Sequence, residues 1–261
     1  MKFMSASMAI TAVLLTSCVT NPQTGRSQLN LVSDSEMNAQ GEQAYKEILS
    51  KSKISQKPQL NSEIVGIGRR IAQATGVNFD WEFSVINEDV VNAFCLPGGK
   101  VAVYTGIIPV AKNNASLAAI LGHEVAHAIL RHSAERMSQQ MVLQTGMNIA
   151  SVTFGNSEYK DLIAAAMGIG VNYGIALPFS RFDESEADRV GLEYMAKAGY
   201  DPREAIGLWE RMAALGNRSP EILSTHPDPA RRARDLNKYM DKAMAFYNAS
   251  VKVPTVPLPK P

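Results

Sequence analysis

One helical run constrains this chain more than any other feature of its sequence. From Ala115 to beyond Met141 the apolar residues recur with helical spacing, and His123 and His127 lie within this run. Residues four apart project about 40° from each other on a helix, so both imidazoles can reach one ion. Glu124 is placed to reach a water held by that ion. Because a His-Glu-x-x-His pattern also arises by chance, two surface histidines and a solvated glutamate are the alternative at this point.

The position of a third ligand decides the kind of site. The metzincin pattern requires glycine at position 130 and histidine at position 133, where this chain has Leu130 and Ser133. His132 follows His123 by nine residues, which is about 180° around a continuous helix, so it cannot share the ion. We expect His132 to have a surface role or to lie in a second layer behind the ligands.

The acidic segment Glu184-Ser-Glu-Ala-Asp188 stands at the start of a predicted helix and can supply the third ligand. Glu184 and Asp188 share one face, so Glu184 can bind the ion while Asp188 accepts the outer N–H of a ligand histidine. Glu186 projects roughly 200° away, and its i+4 neighbour, Val190, cannot accept that N–H. Two histidines and one glutamate with an open fourth position are typical of catalytic zinc, so we expect one Zn²⁺ per chain.

The amino-acid composition excludes several other classes of protein. The 261 residues include 26 Lys and Arg against 25 Asp and Glu, so no basic surface is available to attract nucleic acid. A hydrophobic fraction of 46% with 20% charged residues is that of a globular protein, not of a disordered or multi-span membrane protein. Two cysteines are too few for a disulfide scaffold or a four-cysteine zinc module, and we expect Cys95 to be an inert, packed thiol.

The first residues are typical of an export signal. A short apolar run follows Met1 and Lys2, and it is shorter than the roughly 20 residues that a spanning helix needs. The sequence Leu15-Thr-Ser-Cys18 resembles a bacterial lipobox, which would make residues 1–17 a lipoprotein signal peptide and Cys18 the lipidated first residue. Because Val rather than Asp follows Cys18, the resemblance implies an outer membrane lipoprotein of the bacterial cell envelope, facing the periplasm and attached through its lipid anchor. An ordinary signal peptide with an incidental cysteine is the alternative.

The rest of the chain is predicted to form one helix-rich α+β domain, residues 33–250, with one small sheet. Residues 18–32 are polar and are expected to be the tether of the lipidated cysteine, and the Pro-rich residues 251–261 an extended, unstructured tail. A Ser-Asp-Ser-Glu capping box opens the first helix, and strand-forming residues are concentrated in 81–105. The predicted helices span 33–49, 61–74, 115–141, 183–198, a stretch from 201 onward, and 228–248.

The motifs resemble one family. The combination of His123-Glu-Val-Ala-His127 with Glu184-Ser-Glu-Ala-Asp188 resembles the zinc metallopeptidase family that includes the C-a-a-X prenyl-protein endopeptidases, the heat-shock protease HtpX and the periplasmic proteases BepA and LoiP. Further matching stretches are Asn92-Ala-Phe-Cys-Leu-Pro-Gly-Gly99 with Val103-Tyr-Thr-Gly106, Phe179-Ser-Arg181, and Ser224-Thr-His-Pro227 with Arg232. The resemblance covers residues 33–247 and implies a zincin-like metallopeptidase fold. We expect neither the long membrane spans of integral members nor the helical-repeat domain of larger periplasmic ones.

Three residues receive roles from their chemistry and from this resemblance. Zinc at the site would activate a water, and Glu124 would take the proton of that water and pass it to the departing amine. His226 has three open roles: a second donor to the oxyanion, a loop-packing residue, or, as in periplasmic relatives, a fourth ligand in a resting state. Arg232 is expected to anchor a nearby carboxylate and to belong to the substrate-binding residues, with a solvated helix arginine as the alternative.

Substrate binding and function follow from the same resemblance. The strand through Asn92, Ala93 and Phe94 is expected to form a sheet edge beside the zinc, where an extended substrate adds through main-chain hydrogen bonds. The Gly- and Ala-rich segment 146–180 could be a lid or a buried helical hairpin. We expect a membrane-anchored zinc endopeptidase that acts on unfolded or misassembled envelope proteins. The rival is a chaperone-like assembly factor with a mostly closed zinc site, whereas an aminopeptidase lacks support because no Gly-x-Met-Glu-Asn stretch is present.

Overall fold

The strands of this chain form two small sheets. The computed structural model describes residues 18–147, 179–215, 221–226 and 228–261. Near its N-terminus, β1 (Cys18–Thr20) and β2 (Ser27–Leu29) form an antiparallel hairpin. In the second sheet the order is β3-β5-β4, in which β5 (Lys100–Tyr104) pairs parallel with β3 (Glu82–Ile86) and antiparallel with β4 (Ala93–Leu96). The three-stranded sheet therefore lies within 81–105, as predicted, and leaves β4 at an edge.

Helices make up most of the described residues, which confirms the helix-rich α+β class. Their bounds are α1 (Asp34–Lys51), α2 (Pro58–Thr75), α3 (Ile108–Ala111), α4 (Asn114–Ile129), α5 (His132–Met147), α6 (Arg181–Lys197), α7 (Glu204–Ala214), α8 (Glu221–Thr225), α9 (Pro229–Asp235) and α10 (Met240–Ala249), with 3₁₀ turns at Thr105–Ile107 and Leu236–Tyr239. None of the helices in the described ranges is both long enough and apolar enough to span a bilayer. The predicted signal peptide and most of segment 146–180 lie outside the described residues.

Local sequence signals set several helix ends where we predict them. Ser33 caps α1 in a capping box with Glu36. Gly76 ends α2 in the left-handed conformation, with φ at 70°. Ser180 and Asp183 form a second capping box at the start of α6, where the Ser180 hydroxyl accepts from the Asp183 N–H. This box fixes where the helix that carries Glu184 begins.

Residues 18–32, which we expect to be the tether of a lipidated cysteine, include a hairpin that contacts the folded domain. The side-chain amides of Asn21 and Gln28 both donate to the backbone carbonyl of Leu130, at 3.1 and 2.8 Å. Both side chains belong to residues that are only 2% exposed. The hairpin thus packs on the junction of α4 and α5 and adds a two-stranded sheet to the one we predicted. Its strands are only three residues long, too short for the alternation by which a strand is recognised in a sequence.

The helix predicted over 115–141 is interrupted. Arg131 adopts a φ of 61° between the end of α4 and the start of α5 at His132. The two hairpin amides satisfy the Leu130 carbonyl at this break, one of the groups that a helix end leaves without a helical partner. The predicted C-terminal helix is likewise divided, by the 3₁₀ turn between α9 and α10.

The C-terminal residues 251–261 are extended but ordered, which corrects the expectation of an unstructured tail. The Val253 N–H donates to the Gly199 carbonyl at 2.8 Å. The Asn114 side chain donates to the Pro254 carbonyl at 3.0 Å. These backbone groups are thus hydrogen-bonded to the folded domain, an arrangement that the proline content alone does not predict.

Two glycines bring α4 and α6 into close contact. A Cβ atom on Gly122 would lie 2.7 Å from the backbone oxygen of Gly191, and one on Gly191 would lie 2.7 Å from the backbone of Gly122 and His123. Only residues without a side chain allow backbones to approach this closely. Every residue of α4 is buried, so this crossing lies in the core and sets the distance between the histidine face of α4 and the carboxylates of α6.

Candidate metal centre

His123, His127 and Glu184 meet where α4 crosses α6. The Nε2 atoms of the two histidines are 3.0 Å apart. The Glu184 carboxylate lies 3.4 Å from Nε2 of His127 and 3.6 Å from Nε2 of His123. These residues are 2%, 2% and 3% exposed, respectively. The structure therefore brings together the three side chains that we predict as metal ligands.

His226 is a fourth group at the same point. It follows the short helix α8, and its N–H donates to the Ile222 carbonyl at 2.9 Å, which continues the last turn of that helix. Its Nδ1 lies 3.2 Å from Nε2 of His123 and 2.9 Å from Oε1 of Glu184. One potential ligand atom from each of the four residues lies within 4.8 Å of the other three. This position suits a fourth ligand, or a donor beside three ligands, better than a residue that only packs a loop.

The donor set fits a zinc ion. Tetrahedral zinc with ligand bonds of about 2.0–2.1 Å separates its ligand atoms by about 3.3 Å. The contacts given above run from 2.9 to 3.6 Å, and one ligand atom from each of the four residues lies within 4.8 Å of the others. Oε1 of Glu124 is buried without a hydrogen-bond partner among the described residues, and Oε2 of Glu184 has no hydrogen bond there either, although Nη1 of Arg232 lies 3.0 Å from it. Such atoms are costly unless a cation or its water satisfies them, so the residues present match the group that their chemistry implies.

Burial keeps the two histidines neutral, which is the form that binds a metal. Desolvation, aided by the charge of Arg232, lowers the pKa of His123 to about 4. Desolvation also holds the pKa of His127 well below its ordinary value. For Glu184, burial alone raises the pKa, but the charges of His226 and Arg232 outweigh it and hold the pKa of this carboxyl well below its ordinary value. Near neutral pH the site therefore offers two neutral imidazoles and one carboxylate.

Glu124 lies between its neighbour His123 and the ring of His226. Its Oε1 is 3.6 Å from Nε2 of His226. Burial raises the pKa of Glu124 to about 7, so this carboxyl can both accept and release a proton near neutral pH. For His226, burial lowers the pKa, but the charges of Glu184 and Glu124 outweigh this and raise it above its ordinary value.

Asp188 and Arg232 support His123 from behind. Nδ1 of His123 lies 3.1 Å from Oδ1 of Asp188, the position we predict for the acceptor of its outer N–H. Arg232 donates to both oxygens of Asp188, at 2.6 and 2.9 Å, and lies over the ring of Trp209 at 3.4 Å. Arg232 is only 4% exposed. Arg232 thus anchors nearby carboxylates, as expected, and is not the solvated helix arginine of the alternative.

His132 lies in a second layer behind the ligands, one of the two positions that we expect for it. Its Nδ1 is 2.9 Å from Nδ1 of His127, and its Nε2 is 3.1 Å from Oε2 of Glu186. Two residues near the centre are not predicted from the sequence. Nε of Arg26 donates to the same Glu186 oxygen at 3.0 Å, and the ring of Trp209 lies 5.8 Å from that of His123. No spacing rule relates such distant positions, so the sequence holds no local signal for them.

The predicted sheet edge lies next to this centre. Asn92, Ala93 and Phe94 are 8%, 2% and 7% exposed, and β4 packs against α4. Within the described residues, β4 pairs with β5 on one side. The N–H of Ile222, on α8, donates to the Val91 carbonyl at 3.3 Å just before the strand begins. The strand, the histidine helix and the segment that carries His226 are therefore neighbours.

A buried His-Glu-x-x-His helix that meets a glutamate from a second helix defines a zincin-like metallopeptidase. Residues 58–240 match the sequence profile of Peptidase family M48. The chain belongs to that family, which confirms the resemblance drawn from its motifs and, with the donor set above, the assignment of zinc.

Curated relatives carry the same class of activity in their names. The mitochondrial metalloendopeptidase OMA1 of Schizosaccharomyces pombe is 35% identical over 85% of this chain and 66% of its own length. The protein of the same name from Arabidopsis thaliana is 38% identical over 64% of this chain and 33% of its own length. The beta-barrel assembly-enhancing protease of Escherichia coli is 28% identical over 83% of this chain and 46% of its own length. The chain thus spans between a third and two thirds of the length of these relatives.

Proposed function

We propose that this chain is a membrane-anchored, zinc-dependent endopeptidase of the bacterial outer membrane that faces the periplasm and hydrolyses unfolded or misassembled envelope proteins. The buried set of His123, His127 and Glu184, with Glu124 beside it, is the observation that carries the proposal. The name of the Escherichia coli relative joins proteolysis to β-barrel assembly and supports an envelope role. Since other relatives are named as mitochondrial, the placement in a bacterial envelope depends on the lipobox-like sequence at Cys18.

The chemistry assigns a task to each side chain. The three predicted ligands would hold the ion, with His226 as a fourth ligand at rest or as a donor to the oxyanion. When bound, zinc lowers the pKa of a water and polarises the peptide carbonyl. Glu124 takes the proton of the attacking water and delivers it to the departing amine. Asp188, whose Oδ1 lies 3.1 Å from Nδ1 of His123, would accept the N–H of that nitrogen, which also has Nη2 of Arg232 at 2.8 Å, and so keep Nε2 of the ring unprotonated and directed at the ion.

An extended substrate would bind along β4, at Asn92, Ala93 and Phe94. A peptide that adds to a sheet edge is held by main-chain hydrogen bonds, which read little of its sequence. Unfolded or poorly assembled proteins expose such extended segments in large numbers. The position of β4 beside α4 supports this site and the substrate class together.

The Glu124→Gln variant tests the catalytic proposal. We expect it to lose casein hydrolysis by at least about a hundredfold while it keeps its zinc, because the amide cannot take a proton. Glu210→Gln is the matched control, since Glu210 is exposed on α7, and it should retain full activity. Mass spectrometry of the wild-type products should show internal cleavage. Stepwise trimming from the amino terminus, or a fully active Glu124→Gln protein, would contradict the proposal.

The closed state of the site favours a second candidate, a chaperone-like assembly factor. All four residues of the metal centre are 2–3% exposed, so a substrate carbonyl cannot reach them unless His226 or its surroundings move. If binding rather than cleavage is the function, cells that carry Glu124→Gln should be indistinguishable from the wild type in an envelope-assembly assay. A defect in these cells equal to that of a deletion supports the endopeptidase.

The anchor is tested at Cys18. In cells given a radiolabelled fatty acid, we expect the wild-type protein to carry label and to sediment with outer membranes. The Cys18→Ser protein should carry none and should be recovered in the soluble periplasmic fraction. An unlabelled wild-type protein would exclude lipidation and leave the alternative of an ordinary signal peptide.

A further inference from the structure

A line of buried polar side chains connects the N-terminal hairpin to the metal ligand His127. Nε of Arg26, in the turn of the hairpin, donates to Oε2 of Glu186 at 3.0 Å. Nε2 of His132 lies 3.1 Å from the same oxygen, and Nδ1 of His132 lies 2.9 Å from Nδ1 of His127. Glu186 and His132 are 7% and 1% exposed, so water competes little for these contacts. We call these four residues the Arg26 network.

Only one placement of protons satisfies the network when His127 binds a metal through Nε2. The neutral ring of His127 then carries its proton on Nδ1 and donates it to Nδ1 of His132. His132, also neutral, carries its own proton on Nε2 and donates it to Glu186. Each contact has one donor and one acceptor, and the series ends on a carboxylate that Arg26 neutralises. The network therefore fixes both the tautomer and the orientation of a metal ligand.

The hairpin holds Arg26 rigidly enough for this task. Its guanidinium makes a two-point contact with Glu135 on α5, Nη1 to Oε1 at 2.8 Å and Nη2 to Oε2 at 2.6 Å. Gln28, on the same hairpin, donates to Glu135 at 3.0 Å and to the Leu130 carbonyl at 2.8 Å. Arg26 thus lies among three carboxylates, those of Glu135, Glu186 and, at 3.8 Å, Asp183, which would lose its positive charge if it were removed.

We propose that the N-terminal hairpin contributes to the metal centre by supplying Arg26, a positioning residue that orients His127 through Glu186 and His132. Removal of the guanidinium leaves Glu186 without its cation and beside the other carboxylates, so Glu186 no longer holds His132 in place. His127 then loses the acceptor of its outer N–H. The inference concerns metal binding by the chain and is independent of where the protein acts or what it cleaves.

The test compares zinc affinities of Arg26→Gln and the wild type by competition with a chelator. Loss of an outer hydrogen-bond partner of a ligand histidine typically weakens metal binding by 10- to 100-fold, and we expect a decrease in this range. Arg26→Lys restores the charge but not the two-point contact, so its affinity should be intermediate. Asp34→Asn is the matched control, because it breaks the neighbouring Arg131–Asp34 ion pair of 2.7 Å without touching the network. It should bind zinc as the wild type does.

Two further measurements separate positioning from a loss of fold. The metal-free Arg26→Gln protein should keep the far-ultraviolet circular dichroism of the wild type, and the visible spectrum of its Co²⁺ form should change because a ligand has moved. Zinc affinities of Arg26→Gln, His132→Gln and the double variant should be non-additive, since the two residues act on His127 in series. Wild-type affinity in Arg26→Gln, an unchanged Co²⁺ spectrum, or additive losses would each overturn the proposal. If Arg26→Gln does not fold, the same measurements on Arg26→Lys test the proposal.

Discussion

At Glu124 a single carboxyl couples protonation to folding. Burial raises its pKa from the ordinary 4.5 to about 7. Between these two values the folded, metal-free chain holds a proton that the unfolded chain has released, so the folded state is favoured by a lower pH. The contribution of this carboxyl to stability is therefore complete below pH 4.5 and is lost as the pH rises to about 7.

We expect the Glu124→Gln protein, which cannot ionise at this position, to be the more stable one at neutral pH when both proteins are free of metal. The difference in the free energy of unfolding should be near zero at pH 4.5 and should reach about 3 kcal/mol near pH 7, because one unit of pKa shift corresponds to about 1.4 kcal/mol. Urea unfolding at several pH values with a chelator present measures this difference. The exposed control Glu210→Gln should show no such trend. A Glu124→Gln difference that is constant with pH would show that the carboxyl is not buried as described.

Individual residues also show how far sequence reasoning reaches. His123, His127 and Glu184 could be predicted because helical spacing alone places the first two on one face and zinc chemistry calls for a third ligand. For Arg232 the sequence leaves two alternatives open, because a helix arginine has the same local pattern whether it is solvated or binds a carboxylate and stacks on Trp209. Arg26 belongs to the same class, since its contacts depend on how the hairpin docks.

Among the elements, the crossing of α4 and α6 controls the geometry of the metal centre. These two helices carry His123, His127 and Glu184, and they touch through the backbones of Gly122 and Gly191. Any side chain at the crossing would push the helices apart. The two imidazoles belong to α4 and the carboxylate belongs to α6. The distance between the helices therefore determines the distance from the imidazoles to the carboxylate.

We therefore expect Gly191→Ala to destabilise the protein by about 1–3 kcal/mol, the usual cost of overpacking a core, and to weaken zinc binding at the same time. The added methyl would lie 2.7 Å from backbone atoms. Unlike a flexible side chain, these atoms cannot adopt another rotamer to make room. Gly66→Ala is the matched control, because Gly66 lies inside α2 with no atom near its potential Cβ. That change should stabilise the helix by about 0.5–1 kcal/mol and leave zinc affinity unchanged. Urea unfolding and chelator competition measure both, and a Gly191→Ala protein that behaves like Gly66→Ala would refute this account.

The elements that could be predicted are those with signals in their own residues. The capping box at Ser33 and the left-handed Gly76 mark helix ends locally, so α1 and α2 appear close to their predicted limits. The break at Arg131 has no local signal, because its flanking residues fit a continuous helix and the hairpin that docks there is 100 residues away in the chain. Helix propensity depends on residues that are close in the sequence, whereas this break depends on a contact with a distant segment.

In the molecule as a whole, the candidate metal centre joins three segments of the chain. α4 would supply two ligands, α6 would supply one, and the segment after α8 carries His226. An ion that binds these groups only when they are assembled favours the folded state, by an amount that grows with the ratio of free zinc to its dissociation constant. Removal of the metal should therefore lower the stability of the entire fold and not only that of the site.

We expect one zinc per chain by metal analysis, and we expect a chelator to lower the midpoint of thermal unfolding by on the order of 10 °C. At a free zinc concentration a thousandfold above the dissociation constant the stabilisation is about 4 kcal/mol, and each kcal/mol shifts the midpoint of a chain of this size by about 2–4 °C. Differential scanning calorimetry with and without zinc measures the shift. Glu184→Gln is the control, because it removes the negative charge of the ligand that α6 provides, and it should show a much smaller shift. An equal midpoint in the presence and absence of zinc, or an undiminished shift in Glu184→Gln, would mean that the ion does not bridge α4 and α6.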